Sequence, residues 1–172
     1  ALRLQNFTTA TDAYNVAIGR AAGENVTTGV QNTIMGGLAG DALTDADHNV
    51  AVGMQALSSD TLGSRSTALG FSALETQNFT TATDAYNVAV GYQAGNDVTT
   101  GTNNTLIGAL AGDALTTGSL NTAIGKTALG SDTKGSRSIA VGRNALGTQN
   151  FTSATDVYNT ALGFAAGQAV TT

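Results

Sequence analysis

The stretch Asn15-Val16-Ala17-Ile18-Gly19 decides the fold, because it keeps returning. It comes back as Asn87-Val88-Ala89-Val90-Gly91 and again as Asn159-Thr160-Ala161-Leu162-Gly163, each 72 residues on. Residues 1–72 align with 73–144 without a gap and share 46 identities in 72. Within each 72 a phrase of the same type starts at Asn15, Asn32, Asn49, Ser66, Asn87, Asn104, Asn121, Ser138 and Asn159. The intervals are 17, 17, 17 and 21 residues, twice over. Self-similarity at so short a period is the signature of a solenoid. The chain therefore reads as one repetitive domain, 1–172, with superrepeats 1–72, 73–144 and a partial 145–172, and with a four-residue insertion in every fourth turn.

Let the Asn or Ser that opens each turn be position one. Position four is always large and apolar: Ile18, Met35, Val52, Leu69, Val90, Ile107, Ile124, Val141 and Leu162. Position five is always Gly: Gly19, Gly36, Gly53, Gly70, Gly91, Gly108, Gly125, Gly142 and Gly163. Position eight is always Ala. Aliphatic, often β-branched residues beside Thr, punctuated by Gly, favour strands, and a 17-residue period is too short for two packed helices. The prediction is an all-β fold, a parallel β-solenoid with one coil per turn. Coils stacked about 4.8 Å apart give nine of them a length of roughly 43 Å.

Positions nine and twelve exchange roles. Where nine is Gly (Gly23, Gly40, Gly95, Gly112, Gly167), twelve is aliphatic (Val26, Leu43, Val98, Leu115, Val170). Where nine is Leu (Leu57, Leu74, Leu129, Leu146), twelve is polar (Asp60, Gln77, Asp132, Gln149). Each coil thus supplies one bulky apolar group from one of two places, as a narrow close-packed interior requires. The expectation is that position four and this exchanging group fill the core. Position three must then face the other way, because strand side chains alternate. It is Ala in seven coils and Ile34 or Leu106 in the others, never polar. A strand apolar on both faces is buried on both, so copies of the chain are expected to associate.

The Asn column at position one is read as a ladder of amides bonded from coil to coil rather than as a row of ligands. The Gly at position five is read as a turn requiring positive φ.

Composition excludes several classes. Charged residues are 11% of the chain, against about 25% in a typical soluble domain. With 41% apolar residues and a net charge of −5, the chain does not fit the disordered class. Seven scattered Lys and Arg argue against a nucleic-acid partner or an anionic membrane. No run of eighteen apolar residues is present, so no membrane insertion is predicted. Cysteine is absent, which removes thiolate metal sites and disulfides.

Little in the chain suggests chemistry. The single His48 becomes Leu120 one superrepeat later. Asp12, Asp84 and Asp156 form one column and Asp60 and Asp132 another, mostly assigned to turns, with no aromatic cleft to make a glycosidase pair of them. Asp45 and Asp47 resemble a fragment of a calcium loop, but Thr117 and Ser119 replace them one superrepeat on. The expectation is no enzyme activity, no cofactor and no metal. Arg65 and Arg137 are placed to pair with Asp84 and Asp156. Pairs of Thr (Thr27-Thr28, Thr99-Thr100, Thr116-Thr117) suggest an ice-binding rod as a third reading, though they recur in only two of every four coils. The 21-residue turns carry the aromatic pairs Phe7/Tyr14, Phe79/Tyr86 and Phe151/Tyr158, six of the nine aromatics. These are the candidate contacts for a partner or a glycan, or else pins that hold the longer loop down.

The phrase Asn-(Thr or Val)-Ala-(Ile, Val or Leu)-Gly-x-x-Ala resembles the head repeats of trimeric autotransporter adhesins. It is even more similar to the Asn-Thr-Ala-Ile-Gly arrays of bacteriophage tail-fibre proteins. The resemblance covers essentially the whole chain, although the coils are longer than those of the adhesin heads. It implies a parallel homotrimer of left-handed β-rolls, stacked as a fibre of the virion or of a cell surface. The function it implies is a non-catalytic tail-fibre segment that spaces or carries host-receptor binding, with a host-surface glycan or protein as partner. A bacterial surface adhesin or extracellular filament is the alternative. Ala1 is in phase with Ala73 and Ala145, and Thr172 falls in mid-coil, which predicts an excerpt of a longer fibre.

Overall fold

The computed structural model describes residues 1–172. It is all-β, with no helix. Nine three-residue strands form one parallel sheet in chain order: Val16–Ile18, Thr33–Met35, Val50–Val52, Thr67–Leu69, Val88–Val90, Thr105–Ile107, Thr122–Ile124, Ile139–Val141 and Thr160–Leu162. Register follows the repeat, with Ala17 opposite Ile34 and, across the four-residue insertion, Ala68 opposite Ala89. Two further parallel pairs, Gly63–Ser64 with Thr83–Asp84 and Gly135–Ser136 with Thr155–Asp156, tie the 21-residue turns to the coil before them. The fold is a β-solenoid of about nine stacked coils.

The core reverses one expectation. Position three points inward and position four points out: Ile34, Ala51, Ala68, Ala89, Leu106, Ala123 and Ala140 are fully buried, whereas Ile18, Met35, Leu69, Ile107, Ile124 and Leu162 are exposed. The reason is volume. A 17-residue coil encloses a small cross-section, and the position-eight Ala and one bulky group from nine or twelve already occupy most of it. A second large side chain from position four, repeated every 4.8 Å or so, would overpack it, so the small member of the strand turns inward. The exchange between nine and twelve stands as read: Leu57, Leu74 and Leu129 are buried, and so are Val26, Leu43, Val98 and Leu115.

The polar members of position twelve correct a second expectation. Asp60 and Asp132 are not turn carboxylates at the surface; both are fully buried, together with Gln77 and Gln149. Bulk apolar volume in those coils comes from the Leu at nine, and the polar group at twelve stays inside by finding hydrogen-bond partners there.

Position five does need its glycine. Across the nine coils its φ runs from 126° (Gly163) to 142° (Gly70). A Cβ on Gly53 would stand 2.3 Å from the carbonyl oxygen of Gly70 in the next coil. Both the backbone conformation and the inter-coil spacing therefore exclude a side chain.

The position-one amides form a ladder, but mainly with the backbone. Asn15 Oδ1 accepts the Asn32 N–H at 2.8 Å, and Asn32 Oδ1 accepts the Asn49 N–H at 2.9 Å. From Asn15 to Asn121 each Nδ2 donates to a carbonyl fourteen residues on, as from Asn32 to Ala46 and from Asn104 to Gly118. The amide of Asn32 also reaches Asn15 Oδ1 at 3.3 Å, the one amide-to-amide rung. A second ladder, which the sequence reading missed, runs through position thirteen. The hydroxyls of Thr27, Thr44, Thr99 and Thr116 each donate to the carbonyl of the residue 17 further on.

Candidate functional site

The aromatic pairs of the long turns separate. Phe79 is only 6% exposed and lies against Gly63, where a Cβ would stand 2.7 Å from its ring. Phe7 and Phe151 are half-buried. Their partners point out, with Tyr14 at 71%, Tyr86 at 51% and Tyr158 at 67% exposure. Phe79 is thus packed against the coil before its loop, while the tyrosines stand outward in solvent.

Tyr86 sits in a small surface cluster. Arg65 Nε is 2.9 Å from Asp84 Oδ1, the Arg65 guanidinium lies 5.9 Å from the Tyr86 ring centre, and the Tyr86 hydroxyl donates to Asp84 Oδ2 at 3.3 Å. Arg137 repeats the pairing with Asp156 at 3.1 Å and stacks over Tyr158 at 5.8 Å. The two expected ion pairs form, with about half of each side chain in solvent, so each contributes under about 1 kcal/mol.

The other candidates come to little as chemistry. His48 is exposed, at a left-handed corner with φ 60°. Asp47 Oδ1 accepts the Val30 N–H, and Asp45 accepts the Thr28 hydroxyl. No group of three or more His, Asp or Glu side chains is gathered closely enough to hold a metal ion. The one pocket is a shallow recess lined by Ala1, Arg3, Arg20, Ala21 and Glu24, within which Arg3 pairs with Glu24 at 2.7 Å. Of the Thr pairs, Thr27, Thr99 and Thr116 spend their hydroxyls on the next coil, leaving only the second members exposed.

The outer face of the nine-stranded sheet runs the length of the stack. Position two supplies Val or Thr, with Ile139 once, and position four supplies Ile, Met, Val or Leu; none of these eighteen residues is charged. Position six adds exposed Met54, Phe71, Tyr92 and Phe164 beside it. The Phe71 and Tyr92 rings stack at 5.5 Å and 10°, and Arg143 lies over Phe164 at 5.8 Å. A sheet face that meets water is ordinarily polar. This one carries an apolar side chain at position four in every coil and no charge at position two, where Thr shares the column with Val and Ile.

No protein-family profile, curated protein or solved structure matches the chain.

Proposed function

We propose that this chain is a non-catalytic structural segment of a phage tail fibre, assembled from parallel copies of itself as a homotrimer that spaces or carries host-receptor binding. The observation that carries the reading is the unbroken, uncharged outer face formed by positions two and four. Two-sided burial of the strand remains the argument for association, with the columns exchanged: position three is covered within the chain, and positions two and four are left for a neighbour. Identical copies suit such a face, because every coil presents the same strand at the same spacing. A phage origin rests on the likeness of the Asn-x-Ala-x-Gly phrase to tail-fibre arrays.

The test is a charge placed mid-face. Ile107→Lys and Ile124→Lys alter residues already exposed, so each single chain should keep its β circular dichroism. Each should also sediment as a smaller species than the unsubstituted protein. Unchanged sedimentation in both variants would remove this face from the account.

A further inference from the structure

Inside every fourth coil the Asn ladder is interrupted, and a different set of groups takes over. Ser66 has no side-chain carbonyl oxygen to accept the Asn87 N–H, as the Asn Oδ1 does in the other coils. Gln77 holds Asn87 from the interior by a different atom: its Oε1 accepts from Asn87 Nδ2 at 2.8 Å. The Gln77 amide is itself oriented by Asp60, whose Oδ2 accepts from Nε2 at 2.6 Å, and the same Nε2 donates to Ser66 Oγ at 3.1 Å. Asp60 Oδ1 accepts two backbone N–H groups, those of Gly63 and Phe79, both at 3.0 Å. Phe79 opens the outward stretch of the 21-residue turn that ends at Tyr86.

The arrangement repeats 72 residues later. Asp132 accepts from Gly135 at 3.0 Å, from Phe151 at 2.9 Å and from Gln149 Nε2 at 2.6 Å, while Gln149 Oε1 accepts from Asn159 at 2.8 Å. In coils with aliphatic residues at twelve nothing of the kind exists, and those coils have no outward loop.

We infer that Asp60 and Asp132 are positioning residues for the outward loops: each buried carboxylate fixes the direction of the Asp–Gln–Asn hydrogen-bond chain and ties down the backbone N–H from which its loop departs. The chain has a direction because a carboxylate offers only acceptors to these three donors. Once Oδ2 takes the Gln77 N–H, Oε1 must face Asn87. The loop is thereby seated in one conformation every four coils, with Tyr86 and Tyr158 presented outward at equal intervals. This holds whether or not copies of the chain associate.

Asp60→Asn tests it with almost no change in volume. An amide nitrogen at Oδ2 would face the Gln77 N–H, and at Oδ1 it would face two backbone N–H groups. Inverting Gln77 as well would set its N–H against Asn87. One buried donor is orphaned in every arrangement. Hydrogen exchange at residues 79–86 of the variant should speed up by about tenfold or more, and chymotryptic cleavage after Phe79 or Tyr86 should speed up with it. Residues 151–158 of the same molecule, still held by Asp132, serve as the internal control and should not change. If Asp60→Asn fails to fold, Gln77→Met keeps both backbone bonds to Asp60 Oδ1 and removes the amide's bonds to Asp60 Oδ2, Ser66 Oγ and Asn87. It should then speed exchange near Asn87 more than at Phe79. Unchanged protection of 79–86 in Asp60→Asn overturns the assignment, as does a loss spread evenly over all nine strands in both variants.

Discussion

Leu106 fills the space that Gly112 leaves empty: a Cβ on Gly112 would stand 2.7 Å from Leu106 Cδ2. Gly95 makes the same room on the other side, where a Cβ would lie 2.6 Å from Leu106 Cδ1. The left-handed corner at position nine does not by itself demand glycine, since Leu57 (φ 54°) and Leu129 (φ 53°) adopt it. Glycine stands at nine where position three of the same or the next coil is large. Leu106→Ala should cost about 2–5 kcal/mol by opening a cavity. Gly112→Ala should cost less in the Leu106→Ala background than in the unsubstituted chain, with a coupling of about 0.5–3 kcal/mol. Chemical denaturation of the four proteins of this cycle measures it, and additive costs would mean that the two residues do not share one space.

The ladder at position one is expected to be worth more than its one residue per coil suggests. Asn104 is buried, accepts the Asn121 N–H at 3.0 Å and donates to the Gly118 carbonyl at 2.9 Å. Asn104→Ala leaves both backbone groups without their partner and should lower stability by about 2–4 kcal/mol. Asn104→Ser should cost less, because Ser occupies this position at 66 and 138. Denaturation midpoints of the two variants provide the comparison.

Acid should stabilise the chain before it harms it. Asp60 is held above the ordinary carboxylate value near 3.8 by burial, against hydrogen bonds from Gln77, Phe79 and Gly63 that pull it down. Burial also raises Asp41, with help from Glu24, and Asp113, with help from Asp97. A carboxyl whose folded value lies above its unfolded one binds the proton more tightly when folded. Its contribution is fully present below about 3.8 and is lost as pH rises through the raised value. Protonated Asp60 keeps a lone pair on its hydroxyl oxygen for Gln77, which the amide of Asp60→Asn does not, so acid and the substitution act in opposite directions. The melting temperature should therefore rise as pH falls from 7 toward 4, and the rise should shrink in Asp41→Ser and Asp113→Ser. A melting temperature that falls steadily over this range would contradict the direction.

The surface pairs should matter little by comparison. Arg65→Ala removes an ion pair and a ring contact that are both about half in solvent. Its cost should stay under about 1 kcal/mol and shrink further in high salt. A larger loss by thermal melt would mean that the outer cluster, not Asp60, holds the loop.

Much of this fold was legible because repetition averages away the ambiguity of any single segment. The period placed all nine strands, the invariant glycine placed the tight corner, and the exchange of Leu between nine and twelve identified the exchanging core group. The inward face of the strand was not legible by polarity, since Ala17 and Ile18 are both apolar and alternation speaks only when one face is polar. Side-chain size held the answer: a column of Ala suits a narrow interior, and a column of Ile, Val and Leu does not. Asp60 was misplaced because an isolated carboxylate in a turn-like stretch reads as solvated; only the fold brings Gly63, Gln77 and Phe79 to it. Sequence groups the tyrosines with Phe79 and its equivalents because both recur in the long turns, and only burial, which the fold decides, divides the pair.

Association through the outer sheet face is tested most directly by the mass of the unsubstituted chain in solution, measured by light scattering at several concentrations. Three copies of the 17.1 kDa chain give about 51 kDa, and that is the predicted value. A single 17.1 kDa species that stays monomeric and folded at every concentration would contradict it. Positions two and four would then be an uncharged face of Thr and aliphatic side chains that water tolerates uncovered.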